Sequence, residues 1–311
     1  MERWFTEILR DPVSSDVLED DGGLLCNAVT KQSYPVRRQI PVFTEGRAAD
    51  VTTELHTKSN SRFDYIAHYE ADAEVFDYCS PHLSPSANAE ETILRKMIAK
   101  NIPRDATLLL DVGCGSAWFA GHFVPTGKRV VSLDVSFVNA SKAMTLTSAS
   151  NHAAVVADVY RLPFGENTFD AIVASEIIEH LYDPALFVQK LIHILKPGGK
   201  LIITTPHNEP IEYNLCVHCN RPTPRNAHLH SFNREKIEQI VATVPTKEVK
   251  IKLFNNTLLM KLRLHLLLKK TFVWRMLDAM TNKVFKKAKR IMVVLTKKDV
   301  SLQTKYRKKY Q

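Results

Sequence analysis

The chain has 311 residues, of which 45% are hydrophobic and 24% charged, a composition typical of a globular protein with a substantial core. No apolar run approaches the ~18 residues that a membrane-spanning helix needs, and the first residues lack the basic start and apolar stretch of a secretion signal. The five cysteines are an odd number without the spacing of a secreted disulfide scaffold. We therefore expect a reducing, cytoplasmic location.

The net charge of +9 is unevenly distributed along the chain. Residues 256–290 hold ten Lys or Arg and a single acid, and residues 296–311 hold six Lys or Arg and a single acid. The rest of the chain is therefore mildly acidic. A strongly basic C-terminal region indicates an anionic partner.

The N-terminal third of the chain is heterogeneous. Residues 1–50 contain short β-type runs joined by polar turns, which predicts a small β-rich segment. Residues 51–60 are polar and predict a linker. Residues 62–78 form an aromatic helical stretch, and residues 90–100 predict a further helix that Pro103 ends.

A glycine-rich turn lies at the centre of the sequence. Residues 108–110 form the apolar run of a buried parallel strand, the chain turns at Gly113 and Gly115, and a helix opens at Trp118. Glycines let backbone N–H groups approach a ligand, and a helix start adds positive dipole. Asp111, just before the turn, repels a pyrophosphate and attracts an ammonium group. The pattern therefore favours a positively charged nucleoside such as S-adenosylmethionine over a dinucleotide.

A second strand, residues 130–134, ends in another acid. Asp134 follows Gly115 by 19 residues. An acid at about 20 residues past such a turn is placed to hold a ribose diol.

The ordered motifs resemble those of class I S-adenosylmethionine-dependent methyltransferases, of the type 11 and type 12 kind. They are Asp111–Gly115, Asp134, Ala157-Asp158, Phe169–Ser175 and Leu195–Ile203. The resemblance covers roughly residues 60–255 and a last strand near 291–295. It implies an α/β fold with a Rossmann-like, doubly wound sheet of seven strands, and S-adenosylmethionine as the methyl donor. Ala117 stands where the family often has a third glycine, and alanine is small enough that we expect binding to be retained.

The resemblance also implies further cofactor contacts. Asp158, at the end of a third strand, is placed to meet the adenine amino group. In related enzymes the segment before the core folds over the cofactor, which makes Tyr65, Tyr69 and Tyr78 candidate lid residues, with simple packing as the alternative. The predicted cofactor-binding residues are Asp111, Gly113, Gly115, Asp134, Val135, Asp158, Val159, Ser175 and Tyr69.

The first 50 residues resemble the small zinc-ribbon family that includes the activator subunit of tRNA and release-factor methyltransferases. That family binds zinc through two Cys-x-x-Cys knuckles. Here Asp11 and Ser14 occupy the first knuckle, and Cys26 and Val29 occupy the second. One thiolate cannot hold a tetrahedral zinc, so we expect a metal-free segment used for packing or docking. An irregular extension is the alternative.

The loop after the fourth predicted strand is expected to face the methyl acceptor, because ligands bind beyond the carboxyl ends of the strands. Its titratable residues are Glu176, Glu179 and His180. Methyl transfer needs positioning and sometimes a general base. His180 is the first candidate, since imidazole titrates near neutrality, although it could instead pack or cap. His207, after the fifth strand, is the alternative base.

A loop insertion, residues 211–232, carries a second set of potential ligands. Cys216-x2-Cys219 is followed by His228-x-His230, and two thiolates with two imidazoles make a complete structural zinc site. His218 could replace either histidine. The spacing matches no standard zinc finger, so an ordinary turn is the alternative.

Thirty-six residues separate the sixth predicted strand, 248–254, from the last strand, more than a hairpin needs. Apolar residues recur there at three- and four-residue steps between lysines and arginines, which predicts basic amphipathic helices. We expect a basic, partly apolar face open to an anionic membrane surface. Packing against the sheet or a second subunit is the alternative.

The predicted organisation is a zinc-ribbon-like segment (1–50), a methyltransferase core (51–255), a basic helical insertion (256–290), and a last strand with a basic tail (291–311). The expected function is methyl transfer to a small-molecule or glycan- or lipid-linked acceptor, in the cytoplasm and peripheral to the inner face of the membrane. A tRNA or rRNA acceptor is one alternative, favoured by the basic tail. A non-catalytic S-adenosylmethionine-binding module is the other, which intact Asp111, Gly113, Gly115 and Asp134 oppose.

Overall fold

The computed structural model describes residues 1–45, 64–78, 80, 84–115, 117–217, 220–264, 266 and 272–299. The chain divides into two compact units. The first comprises Met1–Pro81, Thr107–Thr168 and Ile211–Leu229, and the second comprises His82–Ala106, Phe169–Pro210 and His230–Gln311.

The described helices are α1 (Arg3–Thr6), α2 (Tyr65–Val75), α3 (Pro85–Asn101), α4 (Trp118–Phe123), α5 (Phe137–Leu146), α6 (Pro184–Ile194), α7 (Arg234–Val241), α8 (Thr257–Lys261) and α9 (Phe272–Phe285). The strands are β1 (Leu18–Asp20), β2 (Leu24–Asn27), β3 (Ser33–Arg37), β4 (Ile40–Pro41), β5 (Leu108–Val112), β6 (Arg129–Asp134), β7 (His152–Val156), β8 (Phe169–Ser175), β9 (Leu195–Pro206), β10 (Tyr213–Leu215), β11 (Pro222–Pro224), β12 (Thr246–Asn256) and β13 (Ala288–Lys297).

The main sheet has seven strands in the order β12-β13-β9-β8-β5-β6-β7. Within the first unit β5, β6 and β7 are parallel, and within the second β8 and β9 are parallel. Helices connect these strands, so their side chains are buried and apolar on both faces. The predicted Rossmann-like, seven-stranded α/β fold is confirmed.

The last two strands of the second unit reverse direction. β13 runs antiparallel to β9, and β12 runs antiparallel to β13. β12 therefore points the same way as β9, and α8 leaves the sheet at the edge where β8 and β9 end. Arg290, near the start of β13, pairs with Pro206 on one side and Phe254 on the other, so it lies at that same edge.

The first 45 residues form an antiparallel sheet with the order β1-β2-β3-β4. Ile40 and Val42 pack in one core cluster with Ala140, Ala154 and Val156. The small sheet therefore shares the core of the first unit.

Two side-chain-stabilised turns close this sheet. Asp11 Oδ1 accepts from the backbone N–H groups two and three residues later, at 2.8 and 3.1 Å, and Asn27 Oδ1 does the same at 2.9 and 3.0 Å. Asn27 Nδ2 also donates to Asp11 Oδ2 (2.9 Å), which joins the two turns. Asn27 is buried, whereas the neighbouring Cys26 is only partly buried. The residue that faces the first turn is therefore Asn27 and not Cys26.

Hydrogen bonds keep the buried Asp11 ionised. Burial alone would raise the pKa of Asp11, but the hydrogen bonds from Asn27 and from two backbone N–H groups outweigh it and lower that pKa. The two turns are thus joined by a charge-assisted hydrogen bond.

Among the described residues, no helix combines the length and the apolar character needed to cross a bilayer.

We expect Asn27→Ala to lower the free energy of unfolding by about 2–3 kcal/mol, because it removes a buried donor from an ionised carboxylate. Chemical unfolding of the two proteins measures this difference. Asn214→Ala, at an exposed asparagine of β10, is the control and should be near neutral. Equal stabilities for Asn27→Ala and the native protein would show that the bridge between the turns is unimportant.

Candidate active site

The glycine turn of the first unit is tied to the adjacent strand. Gly113 N and Cys114 N both donate to Leu133 O, at 2.8 and 3.0 Å. Gly113 and Gly115 have φ of 70° and 32°, a region that glycine enters without strain. Ala117 also has a positive φ, 54°, directly before α4. That conformation explains why a third glycine is common at this position in the family.

Asp134 organises the end of β6. Its Oδ2 accepts from Gly115 N (3.1 Å) and Asn139 Nδ2 (3.4 Å), and its Oδ1 accepts from Ser136 N (3.0 Å). Burial raises the pKa of Asp134, and these hydrogen bonds oppose that rise. The residue predicted to hold a ribose diol therefore also positions the glycine turn.

Asp111 is the most isolated acid of this site. Its residue is 3% exposed, and Oδ2 is buried without a hydrogen-bond partner among the described residues. Burial, with the negative charge of Asp134, raises the pKa of Asp111 well above its usual range. A cationic ligand would relieve this penalty, because an opposite charge stabilises a buried carboxylate. The unpartnered acceptor Oδ2 of Asp111 therefore fits the ammonium group of S-adenosylmethionine, which would donate to it.

Asp158 lies just after β7 and is held by the predicted lid. Tyr65 Oη donates to Asp158 Oδ2 (2.5 Å), and Tyr160 N donates to Oδ1 (3.0 Å). Tyr65 is the first residue of α2, and Glu70 Oε2 of the same helix accepts from Phe137 N (2.7 Å) at the start of α5. The helix before the core therefore bonds one predicted cofactor acid directly, and it bonds the helix that follows the other.

The remaining predicted cofactor residues are distributed as follows. Val135 and Val159 are partly buried and directly follow Asp134 and Asp158 in the first unit. Tyr69 is partly buried on α2. Ser175 belongs to the second unit, where its hydroxyl lies 3.0 Å from Thr204 Oγ1 at the end of β8.

In the second unit, polar side chains cluster where β8 and β9 end. Glu176 adopts the left-handed backbone conformation, with φ of 57°, and its N–H donates to Thr204 O (2.9 Å). Its Oε2 accepts from Arg290 Nη1. Arg290 escaped the sequence analysis because it ends a run of basic residues, and the only signal was its place at the start of the last strand.

Glu179 is the most buried acid of this cluster, at 1% exposed. Burial raises the pKa of Glu179 to about 8, and Thr205 Oγ1 donates to its Oε2 (2.9 Å). The carboxyl group is therefore protonated at neutral pH and does not serve as a general base there.

Of the two candidate bases, His207 has a defined tautomer. Its Nδ1 lies 3.1 Å from Ala288 O, and a carbonyl only accepts, so Nδ1 carries the hydrogen. Nε2 of neutral His207 then holds the lone pair. His180 is partly buried at the end of the short 3-10 helix Ile178–His180.

The predicted zinc ligands are only partly described. Cys219 and His218 lie outside the described residues. Cys216 belongs to no cluster of three potential metal ligands in the described part of the chain. Burial lowers the pKa of His230, whose Nε2 is buried without a partner there. Zinc at Cys216, Cys219, His228 and His230 stays a prediction.

The comparisons with known proteins point to one class of enzyme. The family described as methyltransferase domain matches residues 110–203. A ubiquinone biosynthesis O-methyltransferase of Xylella fastidiosa is 30% identical over 129 residues, 39% of this chain and 50% of the relative. A probable S-adenosylmethionine-dependent methyltransferase of Mycolicibacterium smegmatis is 26% identical over 159 residues, 49% of this chain and 56% of the relative. The chain thus spans about half the length of these curated relatives.

A solved structure, the phosphoethanolamine N-methyltransferase 2 of Haemonchus contortus in complex with S-adenosyl-L-methionine, is 16% identical. The match has a TM-score of 0.49 and covers 83% of this chain and 62% of that one.

We expect Glu179→Gln to flatten the dependence of stability on pH. The folded-state pKa of about 8 lies above the value of 4.5 for a free glutamate. The protonated group therefore stabilises the fold fully at acidic pH, and this contribution is lost as the pH rises toward 8. The glutamine variant is neutral at every pH. Its melting temperature should therefore rise relative to that of the native protein as the pH is raised from about 5 to about 8, which is the interval between the two pKa values. Glu235→Gln, at an exposed residue of α7, is the control; parallel profiles for Glu179→Gln and the native protein would contradict the assignment.

The seven-stranded order, the acids Asp111, Asp134 and Asp158 in one unit, and the match over residues 110–203 agree with one another. Residues 110–203 therefore match a methyltransferase domain, and the chain has a seven-stranded, Rossmann-like α/β fold.

Proposed function

We propose that the whole protein transfers a methyl group from S-adenosylmethionine to a hydroxyl group of a small-molecule acceptor, free or linked to a lipid or glycan. The observation that carries this proposal is the buried Asp111 with an unpartnered Oδ2, next to Asp134 at the glycine turn. A buried carboxylate without a partner is costly unless a ligand supplies the counter-charge.

The cofactor roles follow from the carboxylates, which accept hydrogen bonds from donors of the ligand. Asp111 would hold the ammonium group, Asp134 the ribose hydroxyls, and Asp158 the adenine amino group. The turn of Gly113 and Gly115 lets the backbone come close to the ligand. S-adenosylmethionine, when bound, supplies an electrophilic methyl group on a sulfonium.

The hydroxyl acceptor is supported by two observations. Two of the curated relatives that the chain matches are named ubiquinone biosynthesis O-methyltransferases, and the matches cover 50% and 67% of their lengths. An acceptor hydroxyl has to lose a proton as it is methylated, and Nε2 of His207 is the lone-pair nitrogen at the acceptor edge of the second unit. We assign His207 the role of general base, and His180 stays the alternative.

The neighbouring charges suit a neutral acceptor group. Glu176 neutralises Arg290, and Glu90 Oε2 accepts from Lys289 Nζ (2.6 Å). Since each cation of this cluster already has an acidic partner, an anionic acceptor group gains little there. A hydroxyl that is positioned by hydrogen bonds is the better match.

Asp134→Ala should weaken binding of S-adenosylmethionine by about 1.5–3 kcal/mol, because it removes charge-assisted hydrogen bonds to the ribose. Isothermal titration calorimetry measures the affinity. Asp134→Asn, which keeps the side-chain volume, should lose most of the same affinity, and melting curves establish that each variant is folded.

Asp105→Ala, at an exposed acid between α3 and β5, is the control and should bind the cofactor as the native protein does. Unchanged affinity in folded Asp134→Ala would remove the ribose assignment. No binding by the native protein would remove the proposed function itself.

His207→Gln should slow methyl transfer by about 10²–10⁴-fold while S-adenosylmethionine affinity is unchanged, because only the proton-accepting step is lost. The measurement is incorporation of label from S-adenosylmethionine into the active fraction of a small-molecule lysate extract. His180→Gln is assayed in parallel. If His207→Gln turns over at the native rate and His180→Gln does not, the base is His180.

A further inference from the structure

The helix α9 is amphipathic, but it buries a largely polar face and exposes its apolar face. Its buried face, which packs against β12, carries Trp274, Asp278 and Asn282. The opposite face is apolar and open to solvent. Its members are 48% to 71% exposed and comprise Phe272, Val273, Met276, Met280 and Val284. A helix of a soluble protein normally buries its apolar stripe against the core.

Specific hydrogen bonds determine which face is buried. The carboxylate of Asp278 accepts from Asn255 N (3.1 Å) and Asn256 N (2.6 Å) at the end of β12. Asn256 Nδ2 donates to Asn282 Oδ1 (2.7 Å). Because Asp278 and Asn282 satisfy buried groups of the strand and its exit, rotating α9 to bury its apolar stripe would leave those groups unpaired. The exposed stripe is therefore built into the fold.

Cations accompany the exposed stripe. Arg275 and Lys283 on α9, and Lys286 and Lys287 just after it, are all exposed. The one acid between residues 272 and 289, Asp278, is buried under the helix. The outer surface of this element is thus both apolar and positive.

We propose that this face of α9 docks on an anionic lipid bilayer, with the apolar stripe at the acyl boundary and the cations among the headgroups. Each basic residue near an anionic leaflet strengthens binding by about fivefold, and the apolar stripe strengthens it further by burial. A second copy of the chain would bring the same cations face to face. A nucleic acid would engage the cations but leave the aliphatic side chains in water. Docking here does not depend on the identity of the methyl acceptor.

The test is co-sedimentation of the full chain with vesicles of phosphatidylcholine alone, or of equal parts phosphatidylcholine and phosphatidylglycerol. We expect binding to the anionic vesicles only, weakening as salt is added. Two variants separate the contributions. Arg275, Lys283, Lys286 and Lys287 changed together to glutamine should bind at least a hundredfold more weakly. Met276→Gln, Met280→Gln and Val284→Thr combined should also lose at least tenfold, because the stripe no longer gains from burial.

The matched control changes four exposed lysines elsewhere in the chain (Lys31, Lys96, Lys100 and Lys247) to glutamine, and it should bind as the native protein does. Melting curves and S-adenosylmethionine affinity establish that every variant is folded.

Equal sedimentation with both kinds of vesicle, or with neither, would overturn the proposal. So would full binding by the Met276, Met280 and Val284 variant, or equal losses in the lysine control. Light scattering without lipid that shows a dimer dispersed by that same variant would instead assign the face to a second copy. Tighter binding to polyuridylate than to anionic vesicles would assign it to nucleic acid.

Discussion

The first unit depends on two buried carboxylates, Asp111 and Asp134, which lie near the ends of the adjacent strands β5 and β6. Asp134 accepts hydrogen bonds that hold Gly115 and the start of α5, whereas Asp111 has an oxygen without a hydrogen-bond partner among the described residues. Placing like charges close together in a buried turn is unfavourable unless a cation arrives. The unfavourable electrostatics of this turn follow from where β5 and β6 end, and they are the basis on which we propose a cationic nucleoside as the ligand. The helix α2 is joined to the same unit by the hydrogen bond from Tyr65 to Asp158 and by the one that Glu70 accepts from Phe137 N.

In the second unit, the charged side chains where β8 and β9 end are neutralised by pairing or by protonation. Arg290 is paired with Glu176 and Lys289 with Glu90, while Glu179 stays protonated by burial. Of the side chains named in this cluster, the imidazole of His207 keeps a lone pair that can accept a proton. His207 is oriented by a main-chain carbonyl of β13, so the last strand, and not the loop after β8, places the base that we favour.

The features that could be predicted from the sequence are those with short-range signals. Each of these signals lies within a short stretch of sequence. They are the apolar run before the glycine turn, the acids that end β6 and follow β7, and the three- and four-residue periodicity of α9. The unpredicted features join distant positions. Tyr65 and Asp158 are 93 residues apart, and Glu176 and Arg290 are 114 residues apart. Periodicity also showed that α9 is amphipathic without showing which side packs, because that choice is made by the backbone N–H groups of Asn255 and Asn256. For a comparable reason Asn27, and not Cys26, faces the turn at Asp11 in the N-terminal sheet. Strand pairing determines which of the two residues is buried, and the Cys-x-x-Cys spacing does not.

The direction of β12 has a kinetic consequence. Since β12 runs with β9, the α8–α9 insertion starts from the edge of the second unit at which β8 and β9 end, beside His207 and Arg290. An enzyme that rests on a bilayer through α9 and takes a lipid-linked acceptor from it works in two dimensions. Its turnover then follows the mole fraction of acceptor within the leaflet and falls when inert lipid is added at constant acceptor, as in surface dilution. Turnover of an acceptor dissolved in water would be insensitive to that dilution. The direction of β12 therefore bears on whether the acceptor is met within the leaflet or in solution.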